Sequence, residues 1–199
     1  NRRLERLARR CDATLYMVAL TTLKCLMARY SGQSDIVLGS VASYRPFRQL
    51  EPLVGFFTNT LVLRTSIDTG RPFKDLLAAV KRTCLEALDN QDVPFETLVE
   101  AVNPVRSADR HPFFDVMFVM NNTGPETLHL GNTDAALEDA AAAGAKFDIT
   151  FSVDHAQGGL DVDIGYRRSV IDDTRAHQLG RHYLRLLEAI AASPDLPVN

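Results

Sequence analysis

Five histidines and three cysteines are the side chains of this sequence that most often serve in proton transfer, nucleophilic attack or metal binding. The histidines show no HExxH spacing and the cysteines no CxxC spacing, so no metal or redox site is predicted. No GxGxxG or GxxxxGK[ST] loop for phosphate occurs, and no GxSxG serine. Asp161 and Asp163 share one face of a predicted strand. Aspartates are expected on the solvent-exposed face of a strand whose other face is buried, which is a simpler explanation than a catalytic pair of carboxylates.

Three other segments carry more glycine or polar residues than a simple connection needs. Residues 53–61 read LVGFFTNTL and place Gly55 and Asn59 just before a predicted strand, where glycine permits a close backbone approach. Residues 90–96 read NQDVPFE between two predicted helices, and residues 106–114 read RSADRHPFF before a predicted strand. These segments form the candidate functional region.

In this order, the three segments resemble the late motifs of the condensation domains of non-ribosomal peptide synthetases, commonly written VGxFVNT, HQDxPFE and RDxSRNPL. Here they read VGFFTNT, NQDVPFE and RSADRHPF, and the resemblance covers most of the chain. It implies one lobe of a V-shaped domain built from two lobes with a chloramphenicol acetyltransferase-like fold. The family's HHxxxDG signature lies in the first lobe, and this sequence has no HH pair, so residues 1–199 are expected to be the C-terminal lobe.

The resemblance also implies a reaction and its partners. In the family, the second histidine of HHxxxDG assists attack of an amine on a thioester, which forms an amide (peptide) bond. Both substrates arrive on phosphopantetheine arms, so no cofactor is expected to bind directly. The expected partners are the N-terminal lobe, the donor and acceptor peptidyl carrier domains and an adjacent adenylation domain. Without HHxxxDG, the lobe is expected to be inactive alone.

Individual site residues follow from the same resemblance. Arg45 matches the arginine that pairs with the aspartate of HHxxxDG, and Asn59 matches an asparagine that lines the substrate tunnel. Both are expected to support the active site, with a structural loop role as the alternative, and no residue of this lobe is expected to be catalytic. Tyr44, Gly55 and Thr58 are expected along the tunnel. Structural roles are expected for the remaining motif residues, which are Gln91, Asp92, Pro94, Glu96, Arg106 and Arg110.

Departures from the family pattern keep other functions open. Ser43 and Tyr44 stand where the family usually has Ala-Gly, and Thr58 replaces a valine. An epimerisation, cyclisation or recruitment domain remains an alternative, although VGFFTNT favours the condensation type. A second hypothesis is a non-catalytic module that docks a carrier protein or a tailoring enzyme. A free-standing acyltransferase would need an HxxxD motif, which only His111 with Asp115 satisfies.

Apolar periodicity predicts the elements that position these segments. Helices are predicted to start after Asp12, Pro72, Pro94 and Asp172 or Asp173, because apolar residues recur there at helical spacing. One or two separate helical turns are predicted before Asp12. Alternation predicts strands, of which the last two form a hairpin, within residues 36–41, 61–67, 114–120, 147–153 and 160–166. The predicted fold is an α/β two-layer sandwich, a mixed β-sheet with helices packed on one side. The alanine-rich residues 123–146 are predicted to be a crossing or mobile segment.

Composition limits the classes of partner and compartment. With 199 residues, 46% hydrophobic and 24% charged, the chain is typical of a water-soluble globular protein. A net charge of -3 gives no basic field for nucleic acid or an anionic membrane, so neither is an expected partner. No signal peptide is visible, so cytoplasm is the expected location. Since the first residue is Asn1, we expect a piece of a longer protein.

Overall fold

The structure is a computed structural model that describes residues 2–45, 47–104, 110–121, 127–130, 133–136, 145–156 and 159–198. Helices and strands are interleaved along this described part. The α-helices are α1 (Arg2–Arg10), α2 (Leu15–Ser31), α3 (Phe73–Asp89), α4 (Phe95–Val102) and α5 (Asp173–Ala192). The strands are β1 (Asp35–Ser43), β2 (Thr58–Ser66), β3 (Val116–Asn121), β4 (Thr127–Leu130), β5 (Thr133–Ala136), β6 (Ile149–Ala156) and β7 (Gly159–Tyr166).

Five strands form one mixed sheet in the order β2-β1-β3-β6-β7. The β1–β2 and β6–β7 pairs are antiparallel, whereas β1–β3 and β3–β6 are parallel. The predicted hairpin is confirmed, since Phe151 lies opposite Ile164 and Val153 opposite Val162. The α/β prediction of a mixed sheet with helices is therefore confirmed.

Helix α2 is the central helix of the core. Thr14 caps its start by accepting a 3.2 Å hydrogen bond from the Met17 amide, and Gly32 ends it with a left-handed φ of 69°. The prediction that Asp12 is the N-cap is wrong. Asp12 instead turns the chain with a positive φ of 48°, and its carboxylate lies 2.7 Å from the Lys81 ammonium. A short polar side chain tolerates this conformation, which explains its place in the turn.

Helix α1 is the separate short helix that the sequence predicts before α2. It buries Leu4 and Leu7 and leaves most of its arginines exposed. No single helix in the described ranges is long and apolar enough to cross a membrane, and α1 and α2 pass such a test only as a pair bent by 97°.

The helices α2, α3 and α5 cover one face of the sheet. Ile36 and Leu38 of β1 and Leu63 of β2 point into this layer and are nearly inaccessible to solvent. Phe73 of α3 and Tyr183 of α5 are fully buried against it. Asp161 and Asp163 lie on the opposite, exposed face of β7, as the alternation predicts.

An aromatic cluster covers the middle of the opposite face of the sheet. A Cβ atom built on Gly39 of β1 would lie 2.1 Å from the Phe114 ring, so only glycine admits this ring. The Phe114 ring lies tilted against His111, with 3.9 Å between the ring centroids, and 5.5 Å from the Phe147 ring. His111 in turn lies 5.1 Å from Phe95, the first residue of α4. The cluster thus joins α4 to the start of β3.

The segment predicted as a crossing or mobile stretch, residues 123–146, lies largely outside the described residues. Its described parts are β4 and β5, which form a separate two-stranded antiparallel sheet, together with residues 145 and 146.

Candidate functional site

The candidate site lies where β1 ends and β2 begins. The antiparallel register places Ser43 opposite Thr58 and Ala42 opposite Asn59. The Tyr44 amide extends this pairing by donating a 2.7 Å hydrogen bond to the Phe57 carbonyl. Because both strand ends meet here, the segment that carries Arg45 and the VGFFTNT motif become neighbours.

Arg45 closes the loop that joins the two strands. Its Nη1 donates to the carbonyls of Glu51 at 2.9 Å and Leu53 at 3.0 Å, and also to the Leu50 carbonyl. Its guanidinium carbon stands 4.3 Å above the centre of the Phe57 ring, a cation–π contact. The two N–H groups of Nη1 are therefore shared among three loop carbonyls, and these contacts orient the planar guanidinium.

The other edge of the Arg45 guanidinium makes no hydrogen bond within the described part of the chain. This edge, Nε and Nη2, is the one that Arg64 uses to bind Asp35 in a bidentate pair, with contacts of 3.0 Å and 2.8 Å. A carboxylate fits such an edge because the two N–H groups are parallel. Arg45 is half-buried, so the edge is partly sheltered from water.

Asn59 joins the VGFFTNT segment to the NQDVPFE segment. Its amide Nδ2 donates to the carbonyls of Gln91 at 2.9 Å and Val93 at 2.7 Å. Its Oδ1 accepts from the amides of Thr60 at 2.9 Å and Phe95 at 3.2 Å. Both N–H groups of the amide are used, so in this structure the side chain holds the turn before α4 rather than presenting a free donor.

Gly55 in the loop and Thr58 at the start of β2 are exposed, and Tyr44 is half-buried. A Cβ atom on Gly55 would approach the Phe57 ring to 3.0 Å. Glycine at this position therefore leaves room for the ring on which Arg45 rests.

Most of the NQDVPFE side chains point outward. Asp92, Pro94 and Glu96 are exposed, and Gln91 is half-buried. The contacts with Asn59 are made by backbone atoms of this turn, not by its side chains. Pro94 immediately precedes α4, where its fixed φ of -59° suits a helix start.

The third motif is described only from Arg110 onward, so Arg106 lies outside the described residues. Arg110 pairs with Asp115 at 3.6 Å on the surface. His111 is the histidine of the HxxxD motif that a free-standing acyltransferase would need. It packs against Phe114, and burial lowers the pKa of its imidazole. Its buried Nδ1 has no hydrogen-bond partner among the described residues, Asp115 included.

The loop surface beside Arg45 is unusually apolar. Val54 is fully exposed and Phe56 is 91% exposed, and Phe47 and Leu53 expose at least half of their surface. Large exposed apolar surface on a loop is more typical of an interaction site than of an ordinary protein exterior.

Sequence reasoning missed Lys24, which lies inside the core. Its Nζ donates to the carbonyls of Leu63 at 2.6 Å and Ile36 at 3.1 Å, under the β1–β2 pair. Burial lowers its pKa from 10.5 to about 7. The available signal was a single lysine within the otherwise apolar run of α2.

Comparison with known proteins decides the family. The family model for the condensation domain matches residues 1–199. The chain belongs to the condensation-domain family. The surfactin synthase subunit 1 of Bacillus subtilis is 36% identical over 197 residues, which are 99% of this chain and 6% of that protein.

Two solved structures show the same fold. The X-domain from teicoplanin biosynthesis has a TM-score of 0.88 at 22% identity, over 98% of this chain and 45% of that one. The condensation domain from the Monacolin K polyketide synthase MokA has a TM-score of 0.84 at 22% identity, over 99% and 46%. The predicted chloramphenicol acetyltransferase-like fold is therefore confirmed. This chain of the condensation-domain family spans less than half of each of these solved chains and a small part of its curated relative.

Proposed function

We propose that residues 1–199 form the C-terminal lobe of a condensation domain and supply one wall of the site where a peptide bond forms. An amine on one carrier-bound substrate attacks the thioester carbonyl of the other, and the thiolate of a phosphopantetheine arm leaves. The 199 residues contain no HHxxxDG. The histidine that assists attack would come from an N-terminal lobe, so this lobe alone would be inactive.

The assembly of Arg45 and Asn59 at one end of the β1–β2 pair carries this proposal. Arg45 holds its own loop through Nη1 and keeps the Nε–Nη2 edge for a carboxylate. The aspartate of HHxxxDG would occupy that edge, which would fix the histidine motif against this lobe. Asn59 acts as a positioning residue, because its amide ties the tunnel segment to the turn before α4.

The exposed loop surface supports a two-lobe site. Val54 and Phe56 would be covered by the N-terminal lobe, and the substrate tunnel would run beside Tyr44 and Thr58. The donor and acceptor peptidyl carrier domains would deliver substrates to its two ends, and an adenylation domain would load a carrier. These partners, and a cytoplasmic location, are part of the proposal.

The test is amide formation by the complete protein that carries this lobe, with both carrier domains loaded. Arg45→Ala should lower the rate by about 10- to 100-fold, because a hydrogen bond to a charged group contributes about 1.5–3 kcal/mol. Arg64→Ala is the matched control, since Arg64 binds a surface carboxylate at the far end of β2. Loaded carriers without any amide product would contradict the proposal.

A non-catalytic docking module is the second candidate. The half-buried ring of Tyr44 favours it, because the ring stands where the condensation family usually has small residues. In that case the complete protein would bind a carrier domain or a tailoring enzyme but form no amide. The same assay, combined with carrier binding measured by calorimetry, separates the two candidates.

A further inference from the structure

A cleft of about 260 Å³ lies between the sheet and the helices, beside the candidate site. Its walls are largely apolar and come from α2, α3, β1, β2 and β3, including Tyr16, Leu61, Leu63, Cys84, Leu88 and Met120. Ser43 and Gln91 are the polar residues that complete the lining. The geometry points to a binding subsite for an uncharged, apolar side chain of an aminoacyl substrate.

The position of the cleft links it to the proposed reaction. Ser43 directly precedes Tyr44 and lies opposite Thr58 in the strand register. The Gln91 carbonyl accepts a hydrogen bond from Asn59. Two residues of the lining therefore adjoin Tyr44, Thr58 and Asn59, which brings the cleft next to a substrate in the proposed tunnel. The inference rests on the proposed function and adds a substrate class to it.

The walls select against charge. None of the described residues that line the cleft is ionised at neutral pH, because burial raises the pKa of Cys84 to about 11 and that of Tyr16 to about 12. The Tyr16 hydroxyl is already used, since it donates to Ser40 at 2.7 Å and Ser40 donates to the Phe118 carbonyl at 2.9 Å. A charged side chain would lose its hydration here without a partner.

The size of the cleft suits an aliphatic or aromatic group. A closed apolar cavity of about 150 Å³ holds benzene, so 260 Å³ admits a leucine or phenylalanine side chain with the mouth left open. Ligand sites are commonly apolar clefts with a few polar groups that set orientation, the combination found here.

Two neighbouring leucines of α3 provide a matched test. Leu88 lines the cleft and is 40% exposed, whereas Leu85 is 45% exposed and does not line it. In the complete protein, kcat/KM is measured with glycyl, leucyl and phenylalanyl thioesters, varied first as acceptor and then as donor. Leu88→Phe should lower the leucyl and phenylalanyl values at least about tenfold and leave the glycyl value unchanged. Leu85→Phe should change none of them.

The opposite substitution checks the direction. Leu88→Ala widens the cleft and should raise the phenylalanyl value relative to the glycyl one. The series of measurements that responds, with the donor or with the acceptor varied, identifies which substrate places its side chain in the cleft. Equal changes for all side chains, or no change in either arm, would overturn the subsite while leaving the proposed function intact.

A second readout does not depend on activity. The thiol of Cys84 lines the cleft, and Cys25 is a fully buried control. The modification of Cys84 by methyl methanethiolsulfonate at pH 9 is followed by mass spectrometry in the complete protein. N-acetyl-leucinamide should slow the reaction of Cys84 in the wild type but not in Leu88→Phe, and N-acetylglycinamide should slow it less. If neither amide protects Cys84, the subsite is overturned even where amide formation is observed.

Discussion

The helix-covered core and the loop beside Arg45 hold similar apolar residues in opposite environments. In the core, Leu20 and Phe73 are completely buried under helices and sheet. In the loop, Val54 and Phe56 stand almost entirely in solvent. The composition of the two regions does not explain the difference. The core is covered within this chain, whereas the loop has the exposed apolar surface that is typical of a contact surface.

The largest expected effect separates these two regions directly. Phe73→Ala should destabilise the chain by about 3–5 kcal/mol, because it removes a fully buried ring and leaves a cavity. Phe56→Ala should change the free energy of unfolding by less than about 0.5 kcal/mol, since the ring is exposed. Urea unfolding of both variants checks the contrast. Comparable losses would mean that the loop belongs to the core.

The next effect concerns the aromatic cluster on the other face of the sheet. Gly39→Ala should destabilise the chain by about 1–3 kcal/mol, because its Cβ would meet the Phe114 ring at 2.1 Å. Gly165→Ala in β7 is the control, since its Cβ would lie 3.7 Å from Thr150. Thermal unfolding compares them, and equal stability of the two variants would show that the Phe114 ring moves away freely.

A smaller effect is expected where the two motifs join. Asn59→Ala removes four hydrogen bonds, three of which link β2 to the turn before α4, and should cost about 1–2 kcal/mol. The loss should be local, so amide exchange at Phe95 should accelerate while exchange in α2 stays slow. Unchanged exchange at Phe95 would argue against the positioning role.

A pH dependence of stability is also expected from the core. The pKa of Lys24 is about 7 in the folded chain and 10.5 ordinarily, so between these values the unfolded chain binds a proton that the folded chain lacks. Stability from Lys24 therefore rises with pH above about 7, by at most about 1.4 kcal/mol per pH unit. Burial raises the pKa values of Cys25 to about 12 and Cys84 to about 11, which opposes the rise above about pH 9.

Lys24→Met should abolish the rise between pH 7 and 9, whatever it does to absolute stability. The surface residue Lys74 offers the control variant Lys74→Met, which should keep the slope. Chemical unfolding at pH 7, 8 and 9 makes the measurement. A slope that survives in Lys24→Met would assign it to other groups.

Periodicity alone predicted most of the helix-covered layer. The apolar stripes of α3 and α5 and the alternation of β6 and β7 were sufficient, because burial on one face imposes them. The start of α2 was misplaced at Asp12, since Thr14 is an equally good cap and only the structure shows which one accepts the Met17 amide. Lys24 was missed because the carbonyls that accept hydrogen bonds from its ammonium belong to the strands β1 and β2, which lie later in the sequence.

The site was predicted through the resemblance rather than through periodicity. The segments of Arg45 and Asn59 pointed to one region, and the strand register brings them together. The partners of the Asn59 amide were not predictable, because they are backbone atoms more than thirty positions away in sequence. The roles of both residues in the reaction stay predictions, as does the role of Arg106, which lies outside the described residues.

We infer that the loop beside Arg45 is one half of a shared site. Hydrogen exchange of residues 47–57 in the 199-residue chain and in the complete condensation domain tests it most directly. We expect strong slowing of amide exchange at Val54, Phe56 and Phe57 in the complete domain, with exchange in α2 unchanged. Equal exchange of the loop in both proteins would contradict it.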